Sequence, residues 1–172
     1  MNKIQAYLVG ETISSNSSEA YSLNAKSFFG EKKEDKIIYS PSEALFLLEK
    51  GKMEVCSKNK KIDSRELEST FRRIDKDIQM KYPVFKELRE KGYIVKTALK
   101  FGADFRVYEK GRKPGEEHAK WVVFVEYSSR KINWNEFSAK SRVAHSTKKK
   151  LLLAIVDDEK DVTYYEVSWA KV

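Results

Sequence analysis

Two histidines, one tyrosine and a run of lysines are the side chains of this sequence whose types and spacing suit acid–base chemistry. The chain contains only His118 and His145. Any histidine that acts as an acid or a base must therefore be one of these two, and imidazole is the side chain that titrates nearest to neutral pH. Two histidines cannot supply a metal site that needs three of them.

Tyr108 and His118 stand on either side of a punctuated loop. The segment DFRVYEK reads as a strand that ends near Tyr108, and Gly111, Pro114 and Gly115 then interrupt the chain before the strand WVVFVEY. A loop of this length can return the chain to the end of the preceding strand, so Tyr108 and His118 could flank one surface cleft. The simpler alternative is a strand aromatic residue and an unrelated surface histidine.

A second basic segment runs from Ser141 to Leu151, SRVAHSTKKKL, and leads into the apolar strand LLLAIV. We predict a helix over about residues 135–149, whose period places Arg142, His145 and Lys149 near one face. That face could meet an RNA backbone. The alternative is that the lysines only complement the dipole at the C-terminus of a helix.

The elements that must position these residues differ between the two halves of the chain. The N-terminal half opens with the segments KIQAYLVGETISS, SLNAKSFFG and KIIYS, which we interpret as short strands and turns. A helix follows from Ser40 to Gly51. Ser40 can cap it, Pro41 suits its first turn, Glu43 completes a capping box and Gly51 stops it.

A second helix is predicted from Asp63 or Ser64, with one apolar face formed by Leu67, Phe71, Ile74 and Ile78. Proline disfavours helical conformation in the residue before it, so Tyr82-Pro83 predicts a break. A further helix is expected over residues 84–91, before Gly92. The segments that follow are strand-like, rich in β-branched and aromatic residues: YIVKTALKF, DFRVYEK, AKWVVFVEYS, KLLLAIVD and DVTYYEVSWAKV.

These patterns predict a mixed α+β fold with two domains. Residues 1–82 form a small N-terminal α/β domain, and residues 83–172 form a domain with a central mixed sheet flanked by helices. The closing strand DVTYYEVSWAKV is expected at a sheet edge, where it could pair with another chain.

Composition limits the kinds of partner that the protein can bind and the cellular compartment in which we expect it. The 172 residues carry a net charge of +8, which favours an anionic partner without choosing between nucleic acid, membrane and acidic protein. No apolar run approaches the roughly 20 residues that span a bilayer, and the N-terminus lacks the pattern of a secretory signal. The single cysteine, Cys56, excludes an internal disulfide and a cysteine-clustered zinc site. We therefore expect a reducing, cytoplasmic setting.

Four segments resemble the catalytic domain of archaeal tRNA-splicing endonucleases: FGADFRVYEKG, PGEEHAKW, SRVAHSTKKKLLLAIVD and YYEVSWAKV. They come in the order and spacing of that family. The resemblance extends upstream through KYPVFKELREKGYIVKTALKFGADFRVY and more loosely through SPSEALFLLEKGKMEV, so it covers most of the chain and implies that residues 83–172 are a nuclease domain.

The resemblance implies a role for each candidate residue. The catalytic tyrosine, histidine and lysine of the family fall on Tyr108, His118 and Lys149, and its RNA-gripping arginine falls on Arg142. The final strand offers no evident second arginine for that grip. It offers Tyr164, Tyr165 and Trp169 instead, of which we take Trp169 as the RNA-binding candidate.

The resemblance also implies a reaction. The ribose 2′-hydroxyl group attacks the neighbouring phosphate of a precursor tRNA at a bulge–helix–bulge, and leaves a 2′,3′-cyclic phosphate and a 5′-hydroxyl. Such a reaction needs a base, an acid and a group that stabilises negative charge, and it needs no metal and no cofactor. His118 suits the acid and Lys149 the stabilising charge. Phenols are weak bases at neutral pH because their pKa is about 10. Tyr108 must therefore act beside a cation that stabilises phenolate, or it only orients the 2′-hydroxyl group.

Members of the family work as two-fold assemblies with two active sites, so the resemblance implies partners. The segment from Glu126 to Asn133 occupies the place of an acidic interface loop, yet it contains Arg130 and Lys131. Like charges repel at such a contact, which favours a heterotetramer with a structural subunit over a homotetramer.

Three other interpretations remain open from the sequence. The chain could be a noncatalytic RNA-binding or structural subunit of the same assembly, or a basic RNA-binding module without chemistry. It could also be a metal-dependent nuclease. That class needs clustered carboxylates on adjacent strands, and Asp104 and Glu126 make no convincing pair of this kind.

Overall fold

The computed structural model describes residues 2–170 and 172, and this part of the chain contains five α-helices, one short 3-10 helix and eleven strands. The chain folds into two compact units, with the boundary in the sequence between Tyr82 and Pro83. Each unit has its own sheet. The predicted mixed α+β fold is confirmed. None of the helices among the described residues has the length and apolar composition needed to cross a membrane.

The first unit is a six-stranded sheet with helices against its buried face. Its elements in chain order are β1 (Ile4–Val9), β2 (Thr12–Ser15), α1 (Ser18–Ser27), β3 (Glu31–Lys33), β4 (Lys36–Tyr39), α2 (Pro41–Glu49), β5 (Met53–Ser57), β6 (Lys60–Ile62) and α3 (Ser64–Ile74). The strand order is β3-β4-β2-β1-β5-β6, and only the β1–β5 pair is parallel. Alternate residues of β1, Ile4, Ala6 and Leu8, are buried, which is the period-2 pattern of a half-buried strand.

The predicted capping box of α2 is confirmed. The Ser40 hydroxyl accepts a hydrogen bond from the backbone N–H of Glu43, and the Glu43 carboxylate accepts one from the backbone N–H of Ser40 at 3.0 Å. Glu43 is buried, and its other carboxylate oxygen accepts a hydrogen bond from the backbone N–H of Gly30 at 3.0 Å. One carboxylate therefore joins the start of α2 to the turn before β3.

The interpretation of SLNAKSFFG as short strands and turns is wrong, because α1 covers most of this segment. Ser17 caps this helix by accepting a hydrogen bond from the backbone N–H of Ala20 at 3.3 Å. The helix ends at Phe28, which has a left-handed conformation with φ 57°. Ala20 is its one fully buried residue among those described. An apolar stripe that would have indicated a helix is thus missing.

The second unit is a five-stranded mixed sheet between two helices. It contains most of α4 (Ile78–Glu90), then β7 (Ile94–Ala98), a 3-10 helix (Leu99–Phe101), β8 (Ala103–Tyr108), β9 (Trp121–Tyr127), α5 (Trp134–Ser146), β10 (Lys150–Val156) and β11 (Val162–Val167). The strand order is β11-β10-β9-β8-β7. Strands β9 and β10 are parallel and α5 connects them, whereas the other pairs are antiparallel. β11 lies at a sheet edge, as predicted.

The predicted break at Tyr82-Pro83 is wrong, because α4 continues through Pro83. The proline removes one helical hydrogen bond, at a cost of roughly 3 kcal/mol. The helix nevertheless buries Val84, Phe85 and Leu88, and the Phe85 ring packs 5.8 Å from that of Phe105 on β8. Burying side chains of this size contributes about 1.5–3 kcal/mol each, which offsets the loss. The prediction that Ile78 lies on the apolar face of α3 is wrong, because Ile78 is the first residue of α4.

The predicted helix to residue 149 is too long, because α5 ends at Ser146. Two backbone bonds close it: the Lys148 N–H donates to the His145 carbonyl at 3.0 Å, and the Lys149 N–H donates to the Ala144 carbonyl at 2.8 Å. With Lys148 at φ 55°, this is a Schellman motif that has lysine where glycine is usual. Lys149 therefore lies beyond the helix, and the predicted face shared by Arg142, His145 and Lys149 is wrong.

Candidate active site

In the second unit, the ends of three neighbouring strands meet at one side of the sheet. This side, the common sheet edge, is distinct from the edge strands β7 and β11. β8 ends at Tyr108, and β9 and β10 begin at Trp121 and Lys150. Because β8 is antiparallel to β9 and β9 is parallel to β10, these three ends coincide. The Lys120 N–H donates to the Val107 carbonyl and the Lys150 N–H donates to the Lys120 carbonyl, both at 2.9 Å. The register therefore continues one residue beyond the strands.

This register places Tyr108 and Lys149 two strands apart at the same edge, with Lys120 between them. His118 precedes Lys120 by two residues, at the end of the loop that leads into β9. The sheet thus gathers the three residues proposed for chemistry at one edge, although they are far apart in sequence. Tyr108 is buried, with 4% of its surface exposed, whereas His118 is exposed and Lys149 is half-buried.

Two ion pairs brace the loop that carries His118. At its base, Glu109 pairs with Lys120, and further out Arg112 pairs with Glu117. The hydrogen bond from Lys120 holds the pKa of the Glu109 carboxyl below its usual range, and the same bond raises the pKa of Lys120. His118 lies between Glu117 and Lys120, so its backbone is tied on both sides to the start of the loop.

Lys149 is held by contacts on both its backbone and its side chain. Its ammonium group donates a hydrogen bond to the Thr147 carbonyl at 2.8 Å and lies 5.1 Å from the centre of the Phe101 ring. Burial lowers the pKa of Lys149, and the positive charge of Arg106 lowers it further. The group is therefore a partly desolvated cation beside another cation, a setting in which an anion is favoured.

The three consecutive lysines have three different surroundings. Lys148 is exposed in its left-handed position, and Lys149 packs on Phe101. Lys150 pairs with Glu166 on β11, which also accepts a hydrogen bond from the Trp121 indole at 2.7 Å. Of these three lysines, Lys149 combines partial burial with a position at the sheet edge.

Trp169, the predicted RNA-binding aromatic residue, lies beyond β11 and packs on α5. Its ring stacks on that of His145 with centroids 3.9 Å apart and an interplanar angle of 7°. Its indole N–H donates to the Ser141 hydroxyl at 2.7 Å. Arg142, the other predicted RNA-binding residue, is exposed on the same helix. The sequence did not predict that His145 stacks on Trp169, because no local pattern indicates a contact between residues this far apart in the chain.

Two open cavities adjoin these residues. One, of about 580 Å³, is lined by Ser141, Ala144, His145, Lys149, Lys150, Val167, Ser168, Trp169 and Ala170. A second, of about 780 Å³, is lined by Lys120, His145, Ser146 and the three lysines 148–150. The first brings Lys149 and Trp169 together. Tyr108, His118 and Arg142 are not among the described residues that line either cavity.

The described residues, 2–170 and 172, contain no group of three His, Cys, Asp or Glu side chains arranged to hold a metal ion. Asp104, one of the two carboxylates considered from the sequence, accepts a backbone hydrogen bond from Val125 at 2.8 Å. The other, Glu126, is buried and pairs with Arg130 and Lys140.

Comparison with known proteins identifies the family. A model of the catalytic C-terminal domain of tRNA intron endonuclease matches residues 78–164, and a model of the N-terminal domain of the same enzyme matches residues 4–68. The chain is 40% identical to the tRNA-splicing endonuclease of Pyrococcus furiosus over 169 residues, which cover 98% of this chain and 97% of that protein. It is 40% identical to the protein of the same name from Methanothermobacter thermautotrophicus over 149 residues, 87% of this chain and 86% of that one.

The tRNA-splicing endonuclease of Nanoarchaeum equitans is 45% identical over 135 residues, which cover 75% of this chain and 86% of that protein. Two domain models of the same enzyme thus match the two parts of this α+β chain, one in each half. The chain belongs to the tRNA intron endonuclease family, and the resemblance seen in the sequence is confirmed.

Proposed function

We propose that the protein is a catalytic subunit of a tRNA-splicing endonuclease, which cleaves precursor tRNA at bulge–helix–bulge intron junctions. The observation that carries the proposal is the common sheet edge of Tyr108, His118 and Lys149. Its basic surroundings, which include Lys120 and Lys148, suit a polyanionic substrate.

In the proposed reaction the 2′-hydroxyl oxygen attacks the adjacent phosphorus and the bond to the 5′-oxygen breaks, giving a 2′,3′-cyclic phosphate. His118 donates a proton to the leaving oxygen, and its exposure lets it reach the RNA. Lys149 stabilises the negative charge that develops on the phosphate, since a partly desolvated cation interacts strongly with an anion. Tyr108 takes the proton of the 2′-hydroxyl group or orients that group. Both roles require its phenolic oxygen.

The chemistry is tested by incubating the protein, with and without a candidate partner subunit, with a bulge–helix–bulge RNA in EDTA. We expect two cleavages with cyclic phosphate ends. Loss of activity on chelation, restored by magnesium, would contradict the metal-independent reaction. Binding of bulged RNA without any product would instead favour the noncatalytic subunit.

Arg142 and Trp169 are proposed to grip an unpaired base of the bulge. Arg142 is exposed on α5, and a guanidinium plane or an indole can stack on a splayed base. Trp169 retains 58% of its surface although one ring face is covered. If Arg142→Ala cleaves bulged RNA with unchanged kinetics, Arg142 is not part of the grip.

For assembly, we propose a heterotetramer with a structural subunit. The segment between β9 and α5 takes the place of the family's acidic interface loop, but its Arg130 pairs with Glu126 and, at 2.6 Å, with Glu136. Lys140 pairs with the same two carboxylates, at 3.0 Å and 3.6 Å. These acidic groups already have basic partners within the chain, which supports an acidic loop supplied by a different subunit.

Exposed aromatic surface supports a protein contact at the same place. Ile132 lies in this segment and Trp134 follows it directly, and Trp134 is 82% exposed. Tryptophan is enriched among residues that dominate interface energies. β11, at the edge of its sheet, offers a strand for a second contact. A homotetramer remains the alternative.

The single cysteine supports action in a reducing cytoplasm.

A further inference from the structure

The Trp169 side chain is held more firmly than its position in the chain suggests. It lies two residues beyond β11, in a segment without helix or strand. Yet α5 contacts it twice: His145 covers one ring face at a centroid distance of 3.9 Å, and Ser141 accepts the indole N–H at 2.7 Å. Ser141 and His145 are four residues apart, so both project from the same side of the helix.

These two contacts restrict the orientation of the indole ring in two different ways. A parallel stack, here at 7°, restricts the tilt of the ring plane, while the hydrogen bond restricts rotation within that plane. Ser141 is buried and cannot follow a moving indole freely. The 58% of the Trp169 surface that remains exposed is available to a ligand.

We propose that His145 and Ser141 are positioning residues that preorganise Trp169 as a one-sided stacking platform for an unpaired base. The inference rests on the proposed RNA-binding role of Trp169. Fixing an aromatic side chain before binding removes the entropy loss that ordering it would cause on binding. Because His145 occupies the inner ring face, a base can stack only on the outer one.

The platform also shares a cavity with the proposed charge stabiliser. His145, Trp169 and Lys149 all line the opening of about 580 Å³. A base stacked on Trp169 would therefore lie in the same opening as the Lys149 ammonium group. Loss of the platform should chiefly weaken RNA binding, and a shift in the pH dependence of cleavage is not expected.

An opposing explanation is that His145 acts chemically, since it lines both cavities next to Lys149. Phenylalanine separates the two roles, because its ring can stack on an indole but cannot transfer a proton. We therefore compare His145→Ala, His145→Phe, Ser141→Ala and Trp169→Ala in the active assembled protein. Cleavage of a bulge–helix–bulge RNA is measured as KM, kcat and pH profile.

We expect Trp169→Ala to raise KM about five- to tenfold, as for loss of one base stack. His145→Ala should raise KM less, about three- to fivefold, as for ordering one side chain on binding, and kcat should change less than about twofold in both variants. Ser141→Ala should give a smaller increase. His145→Phe should restore a KM within about twofold of the wild-type value, with the wild-type pH profile. The double variant His145→Ala/Trp169→Ala should be no worse than Trp169→Ala, because the two residues act as one unit.

Equal impairment of His145→Phe and His145→Ala would overturn the proposal, and so would additive effects in the double variant. A readout without RNA tests the contact itself. With 5-fluorotryptophan in place of the three tryptophans, His145→Ala should shift the ¹⁹F resonance of Trp169, identified with Trp169→Phe. An unmoved resonance would also overturn the proposal. Failure of the wild-type protein to bind or cleave the RNA would refute the proposed function instead.

Discussion

At the scale of single residues, the candidate site combines one buried, one exposed and one half-buried group. Tyr108 is packed within the sheet, His118 is exposed on a braced loop, and Lys149 is fixed by the end of a helix. A group that must move a proton to a leaving oxygen needs access to the RNA, whereas a group that orients an atom benefits from rigid packing. The exposure of His118 thus fits its proposed role, and the fixed position of Lys149 fits a group that stabilises charge.

Replacing Tyr108 by phenylalanine tests that assignment with little change in packing. The ring fills the same buried volume, so we expect the thermal unfolding temperature to stay close to that of the wild type. Cleavage should fall by about 10²–10⁴-fold, because the phenolic oxygen is lost. His118→Gln should reduce cleavage by a comparable factor while RNA affinity is retained. Single-turnover rates and a binding titration measure the two effects, and a Tyr108→Phe protein with full activity would remove Tyr108 from the mechanism.

The lowered pKa of Lys149 predicts a particular pH dependence. The ammonium form stabilises the transition state below that pKa and is lost as pH rises through it, so cleavage should decline at a lower alkaline pH than an ordinary lysine would give. Lys149→Arg should retain its charge and move this decline to higher pH, since arginine stays protonated. Lys148→Arg, on the exposed neighbour, is the control and should leave the profile unchanged. Identical alkaline limbs in all three proteins would show that another group controls the decline.

At the scale of elements, short-range chemistry explains where sequence prediction succeeds. The Ser40–Glu43 capping box lies within four residues and is correctly predicted, as is the stop of α2 by Gly51. α1 is missed because its burial depends on the sheet beneath it, and α4 passes Pro83 because buried Val84 and Phe85 stabilise it. Tertiary packing outweighs local propensity in both cases.

Two glycines in the first unit allow the effect of steric crowding on stability to be measured separately from the effect of backbone strain. Gly30 and Gly10 both have positive φ, 72° and 61°, but a Cβ on Gly30 would lie 2.3 Å from a methyl group of Ile37, whereas one on Gly10 would meet nothing within 4 Å. We expect Gly10→Ala to lower the free energy of unfolding by about 1 kcal/mol, from conformation alone.

Gly30→Ala should cost more, about 3 kcal/mol, because Ile37 is fully buried and the bond from Gly30 to Glu43 would also be strained. Chemical denaturation of both variants measures the difference. Equal destabilisation would mean that the turn before β3 yields without disturbing the core.

At the scale of the whole molecule, the sequence indicates which residues are candidates for chemistry, whereas it does not indicate what surrounds them. The order and spacing of Tyr108, His118 and Lys149 lead to the family. The antiparallel β8–β9 pair and the parallel β9–β10 pair together bring Tyr108 and Lys149, 41 positions apart, to one edge. The stack of His145 on Trp169 joins residues 24 positions apart in sequence and follows no periodicity. Such contacts depend on how α5 packs, which no local pattern specifies.

The prediction for the whole molecule concerns how the subunits assemble. We expect the chain alone to form no active tetramer, and to form one when a subunit with an acidic loop is added. Trp134→Ala should weaken that association by at least about tenfold, as for a central interface tryptophan. Leu99→Ala, at another residue that is 82% exposed, is the matched control. Analytical ultracentrifugation gives the association state, and an active tetramer of this chain by itself would refute the heteromeric proposal.

The Schellman motif at the end of α5 makes mutational tolerance unequal along the lysine run. Lys148 has the left-handed conformation that glycine adopts without strain, so Lys148→Gly should stabilise the fold by up to about 1 kcal/mol. The same exchange at Lys149 would remove the proposed charge from the cavity, and at Lys150 it would remove the partner of Glu166. Three identical neighbours would therefore diverge at different rates under selection, and the middle lysine would change last.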